Sequence, residues 1–185
     1  MFTSVLTYPM RVKRKRGERE QDEYCLNQTR LTSVSVNVWG FCAFGFGVRV
    51  FRAGPNFNAA KYQQCLRENL VGQYPQLARR VLMQDNATFH VVPELKRFFR
   101  QNGMKVMKFP PQSSDLNIIE NVWGLADRKL SNFLLRNRIN REEDLFDKVK
   151  ELCEEIPIEM VNKLYDSMPN RIAEVRTKRG KMTHY

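Results

Sequence analysis

The chain has 185 residues, 42% of them hydrophobic and 28% charged, which is enough apolar content to bury one sizeable core. Lys and Arg outnumber Asp and Glu by 31 to 20, a formal net charge of +11 that favours a polyanionic partner, nucleic acid first, over an acidic one. No apolar run reaches about 18 residues, no C-x-x-C pair occurs among the four cysteines, and the apolar start precedes the basic run; these features argue against a membrane span, a zinc site of usual spacing and a signal peptide.

In chain order, residues 1–30 form a basic polar segment in which Arg11, Lys13, Arg14, Lys15, Arg16 and Arg19 fall within nine positions. It reads either as a nuclear-localisation or DNA-contacting arm, or as a solvated loop. Ser33 to Trp39 alternates polar and apolar residues, the period of a strand with one buried face, and Phe46 to Phe51 follows a turn at Gly45 to complete a hairpin. Asn58 caps a helix whose apolar positions Tyr62, Cys65, Leu66 and Leu70 carry it to about Gly72. Val81 to Gln84 predicts a strand buried on both faces, ending on Asp85. Pro93 opens a helix with Leu95, Phe98 and Phe99 on one face, Gly103 closes it, and Met104 to Phe109 predicts another strand.

Pro110-Pro111 stops that strand. Asp115 then reads as a cap for a helix over 117–132 with an apolar stripe through Ile119, Val122, Trp123, Ala126 and Leu130. Asn140 and Glu143 have the spacing of a capping box before a second amphipathic helix, which Pro157 ends, and a last helical stretch runs from Ile158 to about Met168. Beyond it lies a basic tail, Pro169 to Tyr185. The four cysteines are expected as reduced, mostly buried thiols in an intracellular protein.

Two carboxylates stand out. Asp85 ends a strand, at the sheet edge where ligands bind in open α/β folds, although Asp followed by Asn also serves as an ordinary strand-ending turn. Glu120 borders the apolar stripe of its helix one turn before Gly124, whose missing side chain would permit close approach; a solvated boundary glutamate is the plainer reading.

Met83-Gln84-Asp85-Asn86-Ala87 with His90, followed by Phe109-Pro110-Pro111-Gln112-Ser113-Ser114-Asp115-Leu116-Asn117-Ile118-Ile119-Glu120-Asn121-Val122-Trp123, resembles the signature of Tc/mariner transposases. Thirty-four residues separate Asp85 from Glu120, as in the Tc-one-like branch. Val38-Trp39-Gly40 and Ser167-Met168-Pro169-Asn170-Arg171 match in the family's order. The resemblance implies an α/β, ribonuclease-H-like mixed sheet flanked by helices, with the first strand missing or incomplete. It makes residues 31–185 a single DDE catalytic domain after the 1–30 segment.

It further implies metal-dependent DNA cleavage and strand transfer, with Mg2+ or Mn2+ held by Asp85 as second and Glu120 as third carboxylate. The first would fall just upstream of Met1, so the chain is expected to be inactive. A DNA-binding or transposase-interacting module without catalysis is the alternative. DNA contacts are expected from Lys13, Arg14, Lys15, Arg16, Asn86, His90, Asn121, Arg171, Lys178 and Arg179, with Asn86 and His90 also orienting the site. The expected partners are DNA and a second copy or a full-length transposase, with no membrane and no small-molecule cofactor, in the nucleus.

Overall fold

The computed structural model describes residues 2–8, 34–110 and 113–185. Strands β1 (Phe2–Tyr8), β2 (Val36–Ala43) and β3 (Gly47–Arg52) form an antiparallel meander, with Val5 opposite Trp39 and Trp39 opposite Phe51. Helix α1 (Ala59–Cys65) runs on into a π-helical turn, Leu66–Val71, and a short α2 (Pro75–Ala78) leads to β4 (Val81–Leu82). Helix α3 (Pro93–Gln101) returns to β5 (Lys105–Val106), which pairs parallel with β4. The chain ends with α4 (Ile118–Leu134), α5 (Glu142–Glu154), α6 (Ile158–Asp166) and α7 (Met168–Thr177). No helix of the described residues is long and apolar enough to cross a membrane.

Strand β2 explains the layering. Because successive side chains point to opposite faces, Val36, Val38 and Cys42 enter a cluster with α4, α5 and Val161 of α6. Trp39, Phe41 and Ala43 enter a second cluster with α1, α2 and α3. Helices therefore cover both faces of β2, whereas the alternation in sequence predicts one buried face. The meander ends at a turn in which the Phe46 amide donates to the Ala43 carbonyl at 3.0 Å and Gly45 takes a φ of 69°, the left-handed region that favours glycine.

Several boundaries differ from the sequence expectation. Val81 is 44% exposed while Leu82 is fully buried, so β4 is covered on one face only; its pairing extends to β5 alone among the described residues. Strand β5 is two residues long rather than six. The capping box at Asn140 does not form: Arg141 is the N-cap of α5 and makes no side-chain cap bond. The basic tail is helical through Thr177, since Pro169 sits in the first turn of α7, where its missing N–H costs nothing. Cys42, Cys65 and Cys153 are buried thiols, and Cys25 lies outside the described residues. Burial pushes the Cys65 and Cys153 thiols up to about 11 and about 12, so both are protonated at neutral pH.

Glycine 40 is the tightest point of the fold. A Cβ there would stand 2.6 Å from Cη2 of the Trp123 ring and 2.9 Å from the Arg49 carbonyl oxygen. Trp123 is itself fully buried and cannot swing aside. Gly40→Ala is therefore expected to destabilise the fold by about 1–3 kcal/mol, the usual cost of overpacking; an unchanged urea midpoint would contradict this packing.

Candidate functional site

Asp85 follows β4 in a short loop closed by the single-turn 3-10 helix Thr88–His90. Its Oδ1 lies 2.7 Å from Nδ1 of His90 and accepts from the Ala87 amide at 3.1 Å. The same Nδ1 is 3.0 Å from the Asp85 carbonyl oxygen. Facing two acceptors, Nδ1 carries a proton toward Asp85, while the buried Nε2 has no hydrogen-bond partner among the described residues. Oδ2 takes no hydrogen bond within the described residues, and the side chain is 52% exposed.

The His90 hydrogen bond, joined by that of Ala87, holds the Asp85 carboxyl below its usual range against burial, which pushes it up. A carboxylate presented in this way is ionised and open on one oxygen.

His90 is itself held in place. Its ring packs at 4.5 Å from Tyr62 and 4.3 Å from Phe89, and its side chain is 2% exposed. Tyr62 donates its hydroxyl to Gln84 Oε1 at 2.5 Å. Gln84 in turn reaches the His90 carbonyl at 3.4 Å. The expected DNA contact at His90 is corrected by this burial; orientation of Asp85 is what its position allows. The sequence marks Tyr62 only as an apolar helix position and Gln84 only as a strand end within the motif, and neither local pattern reveals that the two support His90.

Asn86 donates its Nδ2 to the Phe109 carbonyl at 2.7 Å, tying the Asp85 loop to the segment that leads into α4. Phe109, Met83, Ile118 and Ile119 pack in one apolar cluster, and Glu120, half-buried in the first turn of α4, follows directly. Asp85 and Glu120 thus flank the same packed seam. No protein group packs close to Gly124, since a Cβ there would meet nothing within 4 Å, and that side of the helix stays open. Asp85, Asn86 and His90 line a cleft of about 210 Å³ that Lys96 and Lys108 also border. Among the described residues, no group of three metal-binding side chains gathers.

The other expected contacts divide. Asp115 is not the helix cap. It is buried, and its Oδ2 accepts from the Thr183 amide at 2.7 Å, while α4 takes Asn117 as N-cap without a side-chain bond.

Arg171, expected to touch DNA, is 0% exposed. It donates to the Asp115 carbonyl at 2.6 Å, to Asn121 Oδ1 at 2.9 Å and to Ser167 Oγ at 2.9 Å, and Tyr185 lies over it at 4.5 Å. Arg171 is therefore an internal brace of α4 rather than a surface contact, and the half-buried Asn121 is one of its acceptors. Burial lowers the Arg171 pKa while Tyr185 and Asp115 raise it. Lys178 pairs with Glu174 at 2.5 Å, and Arg179 is exposed just past α7. Lys13, Arg14, Lys15 and Arg16 lie outside the described residues.

Two outcomes follow from these contacts. Because the folded pKa of Asp85 is depressed, the stabilisation from its His90 contact is present above the ordinary value of about 3.9 and is lost as pH falls through the folded value. A carboxyl NMR titration is expected to place Asp85 below about 3.9 and to move it upward in His90→Phe; a carboxyl unmoved by that substitution would refute the contact. Arg171→Ala, which strips three acceptors of a charged donor, is expected to cost about 3 kcal/mol or more, whereas Arg179→Ala stays within about 0.5 kcal/mol. Equal thermal shifts in the two variants would contradict the placement of Arg171.

A family model described as a DDE superfamily endonuclease matches residues 4–151. The transposable element Tcb2 transposase of Caenorhabditis briggsae is 27% identical over 177 residues, covering 94% of this chain and 63% of the relative. The chain thus spans less than two thirds of that relative's length. Among solved structures, the catalytic domain of Mos1 mariner transposase superposes with a TM-score of 0.66 at 18% identity, covering 83% of this chain and 78% of that one. The Mos1 mariner paired end complex with Mn superposes with a TM-score of 0.71 at 18% identity, covering 97% of this chain and 55% of that one.

Proposed function

Because the chain belongs to the DDE superfamily endonucleases, as a Tc/mariner transposase catalytic domain of ribonuclease-H-like fold, we propose that it is built for metal-dependent DNA cleavage and strand transfer. Asp85 and Glu120 are its metal-binding carboxylates in this reading. The observation that carries it is the Asp85 carboxylate, held ionised by its hydrogen bond to the buried His90 with one oxygen left open. Hard oxygen donors of this kind suit Mg2+ or Mn2+.

Bound there, two such ions would activate an attacking water or 3′-hydroxyl and stabilise the leaving oxygen. The protein's own share is positional. His90 orients Asp85, Asn86 ties its loop to Phe109, and Arg171 braces the start of the helix that bears Glu120. DNA is the proposed substrate, contacted by the 1–30 segment and by Lys178 and Arg179, and the proposed location is the nucleus.

A two-ion site in this family takes three carboxylates, and the described residues bring two, Asp85 and Glu120, to the seam. A polypeptide of this sequence is therefore proposed to hold the second ion weakly and to cut DNA poorly. A second reading, which the formal net charge of +11 also suits, is a module that binds DNA or another transposase copy without catalysis.

Mn2+ titration followed by electron paramagnetic resonance separates the two. Asp85→Asn and Glu120→Gln are each expected to weaken Mn2+ by more than the roughly 10–100-fold that loss of an outer-sphere partner costs. Affinity indifferent to both would sink the metal reading and leave the module. Plasmid nicking by the 185-residue polypeptide, abolished by Asp85→Asn, would overturn the expectation of weak catalysis.

A further inference from the structure

We propose that the outer face of α3 and β5 is a track for the phosphodiester backbone of DNA, leading into the cleft that holds Asp85. The inference rests on the catalytic-domain reading above and adds a surface to it. From Lys96 to Lys108 the chain carries five cations, Lys96, Arg97, Arg100, Lys105 and Lys108, and no carboxylate. All five are exposed, and none is paired with a carboxylate among the described residues. Some cations elsewhere on the described surface are matched, as Arg52 is by Glu142 and Lys148 by Glu151, whereas here five fall within thirteen positions without a carboxylate among them. An unmatched run of this density is an electrostatic footprint for a polyanion.

The placement is as telling as the charge. Lys96 from the helix and Lys108 from just past the strand both line the cleft of Asp85. A phosphodiester approaching a bare carboxylate meets like charge, and two ammonium groups in the same cleft offset that repulsion. Lys96 and Arg100 stand one turn apart, about 6 Å along α3, so the positive row continues outward from the cleft. Val106 and Met107, exposed beside it, offer apolar surface to sugar faces. Lysines on an edge strand also discourage pairing between sheets, but that role does not account for Lys96, Arg97 and Arg100 on the neighbouring helix.

The test is the salt dependence of binding to a fluorescently labelled short duplex, read by anisotropy. Four substitutions in the track, Lys96→Gln, Arg100→Gln, Lys105→Gln and Lys108→Gln, are compared with a charge-matched set elsewhere: Arg136→Gln, Arg138→Gln, Lys150→Gln and Lys163→Gln. Each lost phosphate contact is expected to lower the slope of log K against log salt by about 0.9, so about 3.6 for the track set, with less than one contact's worth lost in the matched set. Equal losses in the two sets, or an unchanged slope in the track set, would overturn the track while leaving DNA binding intact. Wild-type chain that binds no DNA would overturn both the track and the DNA reading. Lysine acetylation of the wild-type complex provides a readout that does not depend on the variants folding: DNA is expected to protect Lys96 and Lys108 but not Lys150 and Lys163, and the reverse pattern would reject the proposal.

Discussion

The distance between helix α4 and the sheet is set where the Trp123 ring rests on Gly40, because no other residue at that strand position leaves room for an indole. Seating the ring there buries it completely and brings Ile118, Ile119 and Val122 onto the same cluster as Val38 and Val50. Glu120 is carried along as a passenger of that packing. Its neighbour one turn on, Gly124, faces open space instead, so the helix is pressed against the sheet on one side and left uncrowded on the other. An arrangement of this kind can hold a carboxylate firmly while leaving something large free to approach it.

Buried polar groups complete what the apolar contact begins. Around Asp85, the hydroxyl of Tyr62 and the amide of Gln84 are enclosed and partnered, and the His90 ring bonds through Nδ1, so the chain of contacts runs from a helix on one face of the sheet to a loop at its edge. Around Glu120, the guanidinium of Arg171 spans Asp115, Asn121 and Ser167. Such networks are costly when half-satisfied and rigidifying when complete. Asp85 on its loop and Glu120 in the first turn of α4 therefore take their positions from groups largely enclosed by the fold.

The hairpin, α1, α3, α4 and α5 were legible in the sequence because their signal is local: alternation in Val36 to Trp39, and apolar recurrence through Ile119, Val122, Trp123 and Ala126. Asp85 and Glu120 were legible as a pair through the motif around them. What could not be read were the contacts between distant residues. Arg171 looked like one more cation of a basic tail, and only its position 56 residues from Asp115 in sequence yet 2.6 Å away in space reveals a brace. Asp115 misled in the same way, since an Asp ahead of a helix has a local use, and its actual bond to Thr183 leaves no local trace. The boundary of α7 was missed because Pro169 reads as a stop when it stands alone and as a start when a helix follows it.

The bond between Asp115 and Thr183 closes a loop of 68 residues, and the Tyr185 ring covers the same guanidinium that braces the start of α4. A chain made from its amino terminus onward has completed β2, α1, α3 and α4 well before residues 171 to 185 exist. The segment that aims Glu120 is consequently among the last parts to be secured. During synthesis on the ribosome the helix can lie on the sheet while its leading turn still lacks the partners that give it a fixed direction, so that direction is fixed only once residues 171 to 185 have been made.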